Sequence, residues 1–290
     1  MIGSAPGSAG RYTLQHGSDM LIRPQLKHYT AVPEAATAEK RVLRLLSYNI
    51  QVGIASTQFR DYFTMSWKHI FPHAQIYENL RRIAQLISDY DVVALQETDG
   101  GSIRSSFINQ TEYLAEHADF PYWHHQVNRD LGRFAQHANG LLSRFQPADI
   151  TDYKLPGWIP GRGALMVRFG SERNPLMLVI LHLALSQRAR QRQLASVGDI
   201  VQNYQHVVVM GDLNCQASSP EMRSLLRKTN LCEPTHNLKT FPSWRPARTI
   251  DHILVTPSLE VRDVHVLGHR FSDHLPIAMD IALPADIDLS

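Results

Sequence analysis

The chain has 290 residues, 43% hydrophobic and 19% charged, with a formal net charge of +2, the profile of one large globular domain. That balance excludes a wholesale electrostatic commitment to nucleic acid while leaving room for a local basic groove. No run approaches the roughly 18 apolar residues of a membrane span, so no stable membrane insertion is expected. Cys215 and Cys232 make neither a zinc spacing nor a disulfide framework, which favours a reducing compartment and a cytoplasmic location.

In chain order, residues 1–40 are rich in Gly, Ser, Ala and Pro with little periodicity and read as a flexible extension. A catalytic domain is expected over 41–284 and a short tail over 285–290. Val42 to Ile50 reads as a mostly buried strand carrying Asn49 near its end. Phe59, Tyr62, Phe63 and Trp67 would pin the irregular segment that follows. Ile76, Leu80, Ile83, Leu86, Ile87 and Tyr90 follow helical spacing over 73–90. Asp91 to Glu97 is a short apolar run ending on a carboxylate. Tyr122–Val127, Asn139–Arg144, Ala164–Phe169 and Leu176–His182 are candidate strands, in quick enough succession to imply antiparallel or mixed sheet. Ser186 is placed to cap a helix from Gln187 to about Tyr204, and Ser218 or Ser219 with Pro220 to open another through Lys228. Strands over Thr249–Val255, Val261–Leu267 and Pro276–Ile281 close the domain.

The stretch Val207-Val208-Val209-Met210-Gly211-Asp212-Leu213-Asn214 organises the rest. It is a buried strand stopping at a glycine, followed by a carboxylate and a carboxamide two positions apart, hence on one side of an extended chain. For the isolated Asp-x-Asn an Asx turn is the plainer alternative. Other apolar runs, however, end on Asn49, Glu97, His182 and Asp251, and Ser272-Asp273-His274 precedes the last strand. Each has its own plain explanation as a turn, a solvated strand end or a satisfied core histidine. Asp251 inside an apolar strand is costly unless paired, and His274 would pair with it if it lay on the neighbouring strand. Together these residues point to one pocket. Glu97 and Asp273 are hard oxygen ligands suited to Mg2+ or Mn2+ shared with a phosphate. Asp212 would orient or deprotonate water, His274 held by Asp251 would act on the phosphoryl group, and Asn49 and Asn214 would position substrate and water without added charge.

Read in order, Ser47-Tyr48-Asn49-Ile50, Leu95-Gln96-Glu97, Asn139 to Arg144, Leu181-His182-Leu183, Gly211 to Asn214, Ile250 to Ile253 and Ser272 to Pro276 resemble the endonuclease/exonuclease/phosphatase superfamily over about 41–284. The resemblance implies an α/β (α+β) four-layer sandwich, two central mixed β-sheets flanked by helices, and divalent-metal-dependent hydrolysis of phosphate esters. By position, Glu97 looks like the principal metal ligand and Asp273 a second or water-mediated one. Asp212 looks like the nucleophile-activating group, Asn214 its phosphate-orienting companion, and Asp251 with His274 the carboxylate–histidine pair. Gln51 stands where many apurinic endonucleases carry an acid, and His182 where they use a tyrosine. Base-excision repair therefore ranks low, and bacterial relatives of unsettled substrate fit better. A nuclease is the first expectation, with Arg162, Arg188 and Arg248 (and also Arg133) for phosphates and Trp244 for stacking. A phosphoesterase of a phospholipid headgroup or a soluble phosphorylated metabolite is the alternative, and a non-catalytic binding relative ranks last.

Overall fold

Val42–Asn49 forms β1 and pairs in parallel with β2, Val92–Asp99. Parallel neighbours need a crossover, and the amphipathic helix α1, His73–Ile87, lies between them in sequence. The second half of the chain repeats the device: β7, Leu176–His182, and β8, His206–Asp212, run parallel, with α3, Gln187–Val201, between them. Both β7 and β8 are buried at every residue, which is why they read as continuous apolar runs rather than alternating ones. The computed structural model describes residues 42–53, 73–105, 107–130, 136–157, 161–234 and 237–289. The expected N-terminal extension, the aromatics from Phe59 to Trp67, and Arg133 lie outside them.

Around each parallel pair the remaining strands add antiparallel edges. β3 (Tyr122–Asp130), β4 (Gln136–Ser143), β10 (Glu260–Val266) and β11 (Ile277–Ala282) complete a six-stranded sheet in the order β10-β11-β1-β2-β4-β3. β5 (Asp149–Lys154), β6 (Gly163–Phe169) and β9 (Asp251–Val255) complete a five-stranded sheet in the order β5-β6-β7-β8-β9. The sheets face each other across a core that includes Leu43, Leu45, Leu141, Leu165, Leu178, Met210, Ile253 and Met279. The other face of the six-stranded sheet packs α1 and α2 (Gln110–His117) through Leu80, Ile83, Leu114 and Leu95. The other face of the five-stranded sheet packs α3 and α4 (Pro220–Lys228) through Leu194, Val197, Met222 and Val209. Two mixed sheets between two helical layers make the expected α/β sandwich.

Several elements differ from their sequence expectations. β5 and α2 have no counterpart in the apolar pattern. β5 carries Asp149, Thr151, Asp152 and Tyr153 and is only partly buried, and α2 is eight residues long, started by Asn109 accepting hydrogen bonds from the backbone of Thr111 and Glu112. Ser219 caps α4 through its hydroxyl as expected, whereas Ser186 occupies the N-cap of α3 without a side-chain hydrogen bond.

Candidate active site

The carboxyl ends of the two parallel pairs meet at one edge of the sandwich, where open α/β sheets characteristically bind ligands. Asn49 ends β1, His182 ends β7 and Asp212 ends β8. In the five-stranded sheet His182 is opposite Asp212, and Asp212 is opposite Asp251, so register alone lines up three of the expected site residues. Glu97 sits in β2 where its register with β4 slips between Leu95 and Thr98, and it has φ +55°. Bulges of this kind re-aim a side chain, and a non-glycine residue held at positive φ marks strain that the surroundings must impose.

Asp212 is the hub. One oxygen, Oδ2, accepts a hydrogen bond from Asn49 Nδ2 at 3.1 Å and lies 3.6 Å from His182 Nε2 and 3.9 Å from His274 Nε2. The other, Oδ1, accepts from the backbone N–H of Asn214 at 2.9 Å. The Asx turn is therefore real and coexists with the site, because the two oxygens do different work. Asn214, at φ +52°, donates Nδ2 to the carbonyl of Leu183 at 3.0 Å, so its amide ties the β8 turn to the end of β7. Glu97 reaches the same centre, 3.4 Å from Asn49 Nδ2 and 3.7 Å from His182 Nε2.

His274 Nδ1 contacts both oxygens of Asp251, at 3.1 and 2.9 Å. The two residues do not pair across neighbouring strands of one sheet, as the sequence leads one to expect. Asp251 belongs to the five-stranded sheet while His274 approaches β11 of the six-stranded one, so the pair bridges the two sheets. Thr240, absent from the sequence reading, donates its hydroxyl to Asp251 Oδ2, and Phe241 packs its ring 4.9 Å from that of His274. Backbone bonds from Leu275 to Thr240 and from Ser243 to Asp273 bind this loop to the 272–275 segment. Ser272 ties that segment to β1 by donating to the carbonyl of Asn49 at 2.7 Å. No local pattern betrays Thr240; only its position across from β9 does. Thr240→Val removes one of the two groups that bond Asp251 Oδ2, the other being His274 Nδ1, and urea denaturation is expected to show a loss of about 1–3 kcal/mol. An unchanged midpoint would deny the bond any structural weight.

Burial governs the electrostatics. It pushes Asp212 up to about 7, reinforced by Asp251 and opposed by His274 and the Asn214 N–H. It pushes Asp273 up to about 6, against the opposing pull of His274. Burial would lower His274, but Asp251, through charge and hydrogen bond, together with Asp212 and Asp273, outweighs it and raises the imidazole to about 10. His182 is held well below 6.5, first by burial and then by Arg162, His274 and His137, so it is a neutral imidazole at pH 7. For His274, raised above its usual 6.5, the stabilisation is complete below pH 6.5 and disappears as pH climbs through about 10. His274→Gln is accordingly expected to flatten the stability of the metal-free protein between pH 7 and 10. A variant curve parallel to that of the unsubstituted chain would contradict this assignment.

Of the expected substrate contacts, Arg162 and Arg188 line a cleft of about 720 Å3 that opens against Glu97 and His182. Arg248 is exposed instead, its guanidinium over the Phe241 ring at 5.6 Å, and Trp244 is 38% exposed on the same loop. Those two flank the His274 side and do not line the cleft. The chemistry of the donors suits a hard dication: Glu97, Asp212 and Asp273 gather at one edge, and two of them are raised by burial for want of sufficient positive charge. Asp212, Asp251 and His274 also form a group whose ligand atoms lie within 4.8 Å of one another and that could hold a metal ion. In that group Asp251 is already engaged by His274 and Thr240, which leaves Asp212 as its freest donor. No helix among the described residues is long and apolar enough to cross a membrane.

A mixed-sheet sandwich that pools carboxylates and histidines at the ends of its parallel strands defines a hydrolase of phosphoric esters by fold and site class. The endonuclease/exonuclease/phosphatase family model matches residues 46–274, and the chain belongs to that family. A comparison with curated proteins finds no match. Among solved structures, an endonuclease/exonuclease/phosphatase from Beutenbergia cavernae is similar with a TM-score of 0.63 at 23% identity, over 84% of this chain and 72% of that one. A mannosyl-6-phosphatase from Bacteroides thetaiotaomicron is similar with a TM-score of 0.61 at 17% identity, over 82% and 99%. The human Nocturnin catalytic domain with bound sulfate is similar with a TM-score of 0.61 at 16% identity, over 86% and 100%. At these identities the likeness extends to the fold.

Proposed function

We propose that the protein is a divalent-metal-dependent phosphodiesterase that cleaves its substrate, a nucleic acid, by direct attack of water. The observation that carries the reading is the placement of Asp212 among Asn49, His182 and His274. A carboxylate whose basicity burial has raised to about 7 is poised as a general base, since proton acceptance is most effective when the base titrates near the working pH. Asp212 takes a proton from the attacking water as oxygen bonds to phosphorus, and the ester P–O bond breaks as charge moves to the leaving oxygen. His274, kept protonated by Asp251, donates Nε2–H to a non-bridging phosphoryl oxygen as charge builds there. Neutral His182 and the amide of Asn49 add donors without charge. Asn214 holds the turn that presents Asp212, through its backbone N–H to Asp212 and its amide to Leu183, and in this reading it orients the phosphate beside Asp212. Glu97 and Asp273 would hold Mg2+ or Mn2+, which when bound supplies positive charge to the phosphoryl oxygens. With Cys215 and Cys232 as free thiols, we assign the protein to the cytoplasm.

The arginine-lined cleft beside the site supports nucleic acid as substrate. A phospholipid headgroup is the second reading, favoured by Leu185, which lines the cleft and is 78% exposed. The deciding experiment is a panel of single-stranded oligonucleotides, plasmid, phospholipid vesicles and sugar phosphates under Mg2+ or Mn2+ titration. Oligonucleotide cleavage that EDTA abolishes is expected. Intact oligonucleotides alongside lipid turnover would replace the first reading by the second, and inertness throughout would reject both.

A further inference from the structure

The cleft that opens on Glu97 and His182 carries a charge pattern that hydrolysis at one phosphate does not require. Arg129, Arg162, Arg188 and Arg192 line it, and among the described residues Glu97 is the only carboxylate that does. α3 bears arginines at 188, 190 and 192, and their fates differ. Arg190 is clamped to buried Glu221 at 2.8 and 2.9 Å and also donates to the carbonyls of Ala184 and Leu185, so it is a structural strut between α3 and α4. Arg188 and Arg192 are four residues apart, hence neighbours on one helix face, and both line the cleft. Like charges at that spacing repel each other and weaken a helix unless an anion lies between them. Among the described residues no carboxylate forms an ion pair with Arg188, Arg192 or Arg162. Arg162 is half-buried as well, and burial lowers its affinity for the proton despite the pull of Glu97 and Asp212. A partly desolvated guanidinium that the carboxylates attract only from a distance, with no direct ion pair among the described residues, is well placed to take an anion from a ligand.

We propose that this cleft is a second anion subsite, in which Arg188 and Arg192 grip a second phosphate of a soluble substrate while Arg162 stands between that phosphate and the scissile one. The inference rests on the phosphodiesterase reading and narrows it: the preferred substrates carry a second phosphate beside the scissile diester, as a short oligonucleotide does, and a nucleoside bisphosphate presents the same pair of phosphates as a ligand that needs no cleavage. Guanidinium forks suit phosphate oxygens because two parallel N–H donors match two acceptors. Free phosphomonoesters, which fill only the site at Asp212, are the poorer ligands.

Isothermal titration calorimetry of the intact protein in EDTA reads the subsite without turnover. Thymidine 3′,5′-bisphosphate is expected to bind at least about tenfold more tightly than thymidine 5′-monophosphate or 3′-monophosphate, the ratio that one additional charge-assisted contact of about 1.4 kcal/mol produces. The Arg188→Gln/Arg192→Gln double variant is expected to shrink that ratio to about twofold or less. Both positions are exposed on α3, and glutamine is nearly as good a helix former as arginine, so an unchanged circular dichroism spectrum should accompany the loss. Equal affinities for the three nucleotides, no measurable binding of the bisphosphate, or a preference that survives the double variant overturns the proposal. Capture on vesicles of acidic phospholipid without affinity for the soluble bisphosphate overturns it too. Because only binding is read, a protein that cuts no nucleic acid refutes the proposed function while leaving this result decidable.

Discussion

Asp212→Asn is expected to lower kcat on the best substrate by about 10^3-fold or more, while making the metal-free protein more stable. The loss follows from the replacement of a proton acceptor by an amide that cannot serve as one; general-base catalysis is commonly worth 10^2–10^4-fold. The gain follows from linkage. Burial raises Asp212 to about 7 in the fold, above the roughly 3.9 of an unfolded aspartate. The native state therefore binds more protons than the unfolded state between those values, and stability falls as pH rises through that window. Removing the ionisable group removes the penalty. Urea midpoints in EDTA at pH 5 and pH 8 should separate by less in the variant, and at pH 8 the variant should be the more stable by on the order of 1–2 kcal/mol. Activity within tenfold of the unsubstituted enzyme would remove Asp212 from the mechanism. A variant no more stable than the parent at pH 8 would show that its carboxylate is not strained by burial. Stability gained at the cost of activity is the usual mark of a site held against its own folding preference.

Gly211→Ala is the second substitution with a large expected effect, here on the fold. Gly211 has φ +142°, and an added Cβ would lie 1.9 Å from the carbonyl oxygen of Leu181 and 2.9 Å from its carbon. These are backbone atoms of the paired strand β7, so no rotamer change relieves the clash. The strands must part at the positions that carry His182 and Asp212. Destabilisation of about 4 kcal/mol or more is expected, in the class of strain at a special backbone conformation, together with loss of activity in the fraction that folds. Thermal unfolding alongside Asp212→Asn separates the two mechanisms, since only the glycine substitution should lower Tm. A glycine variant that melts with the parent would mean that β7 and β8 tolerate a wider separation here.

Much of this architecture was legible because burial on both faces leaves a plain trace. β1, β7, β8 and β9 are almost wholly buried, and continuous apolar runs ending on single polar residues announced both the strands and the polar ends that converge. α1, α3 and α4 advertised themselves through spacing and a capping serine. Half-exposed β5 and the eight-residue α2 did not, because short elements with mixed exposure have too little periodicity to rise above loop composition. Gly211, the glycine at which the apolar run of β8 stops, is where the Leu181 carbonyl comes close to the backbone.

The sequence by itself determined the family to which the chain belongs and named a set of candidate residues that converge: Asn49, Glu97, His182, Asp212, Asn214, Asp251, Asp273 and His274 all come to one edge of the sandwich. Only the tertiary structure decided how those groups are arranged. Strand register set His182, Asp212 and Asp251 side by side, a bulge turned Glu97 toward Asn49, and the facing of two sheets joined Asp251 to His274 with Thr240 behind them. The same holds for the arginines of α3, which look alike along the chain and differ only in whether Glu221 or the open cleft lies in front of them. Pairing partners, burial and the charges that burial perturbs depend on residues tens to hundreds of positions apart, and no local pattern encodes those distances.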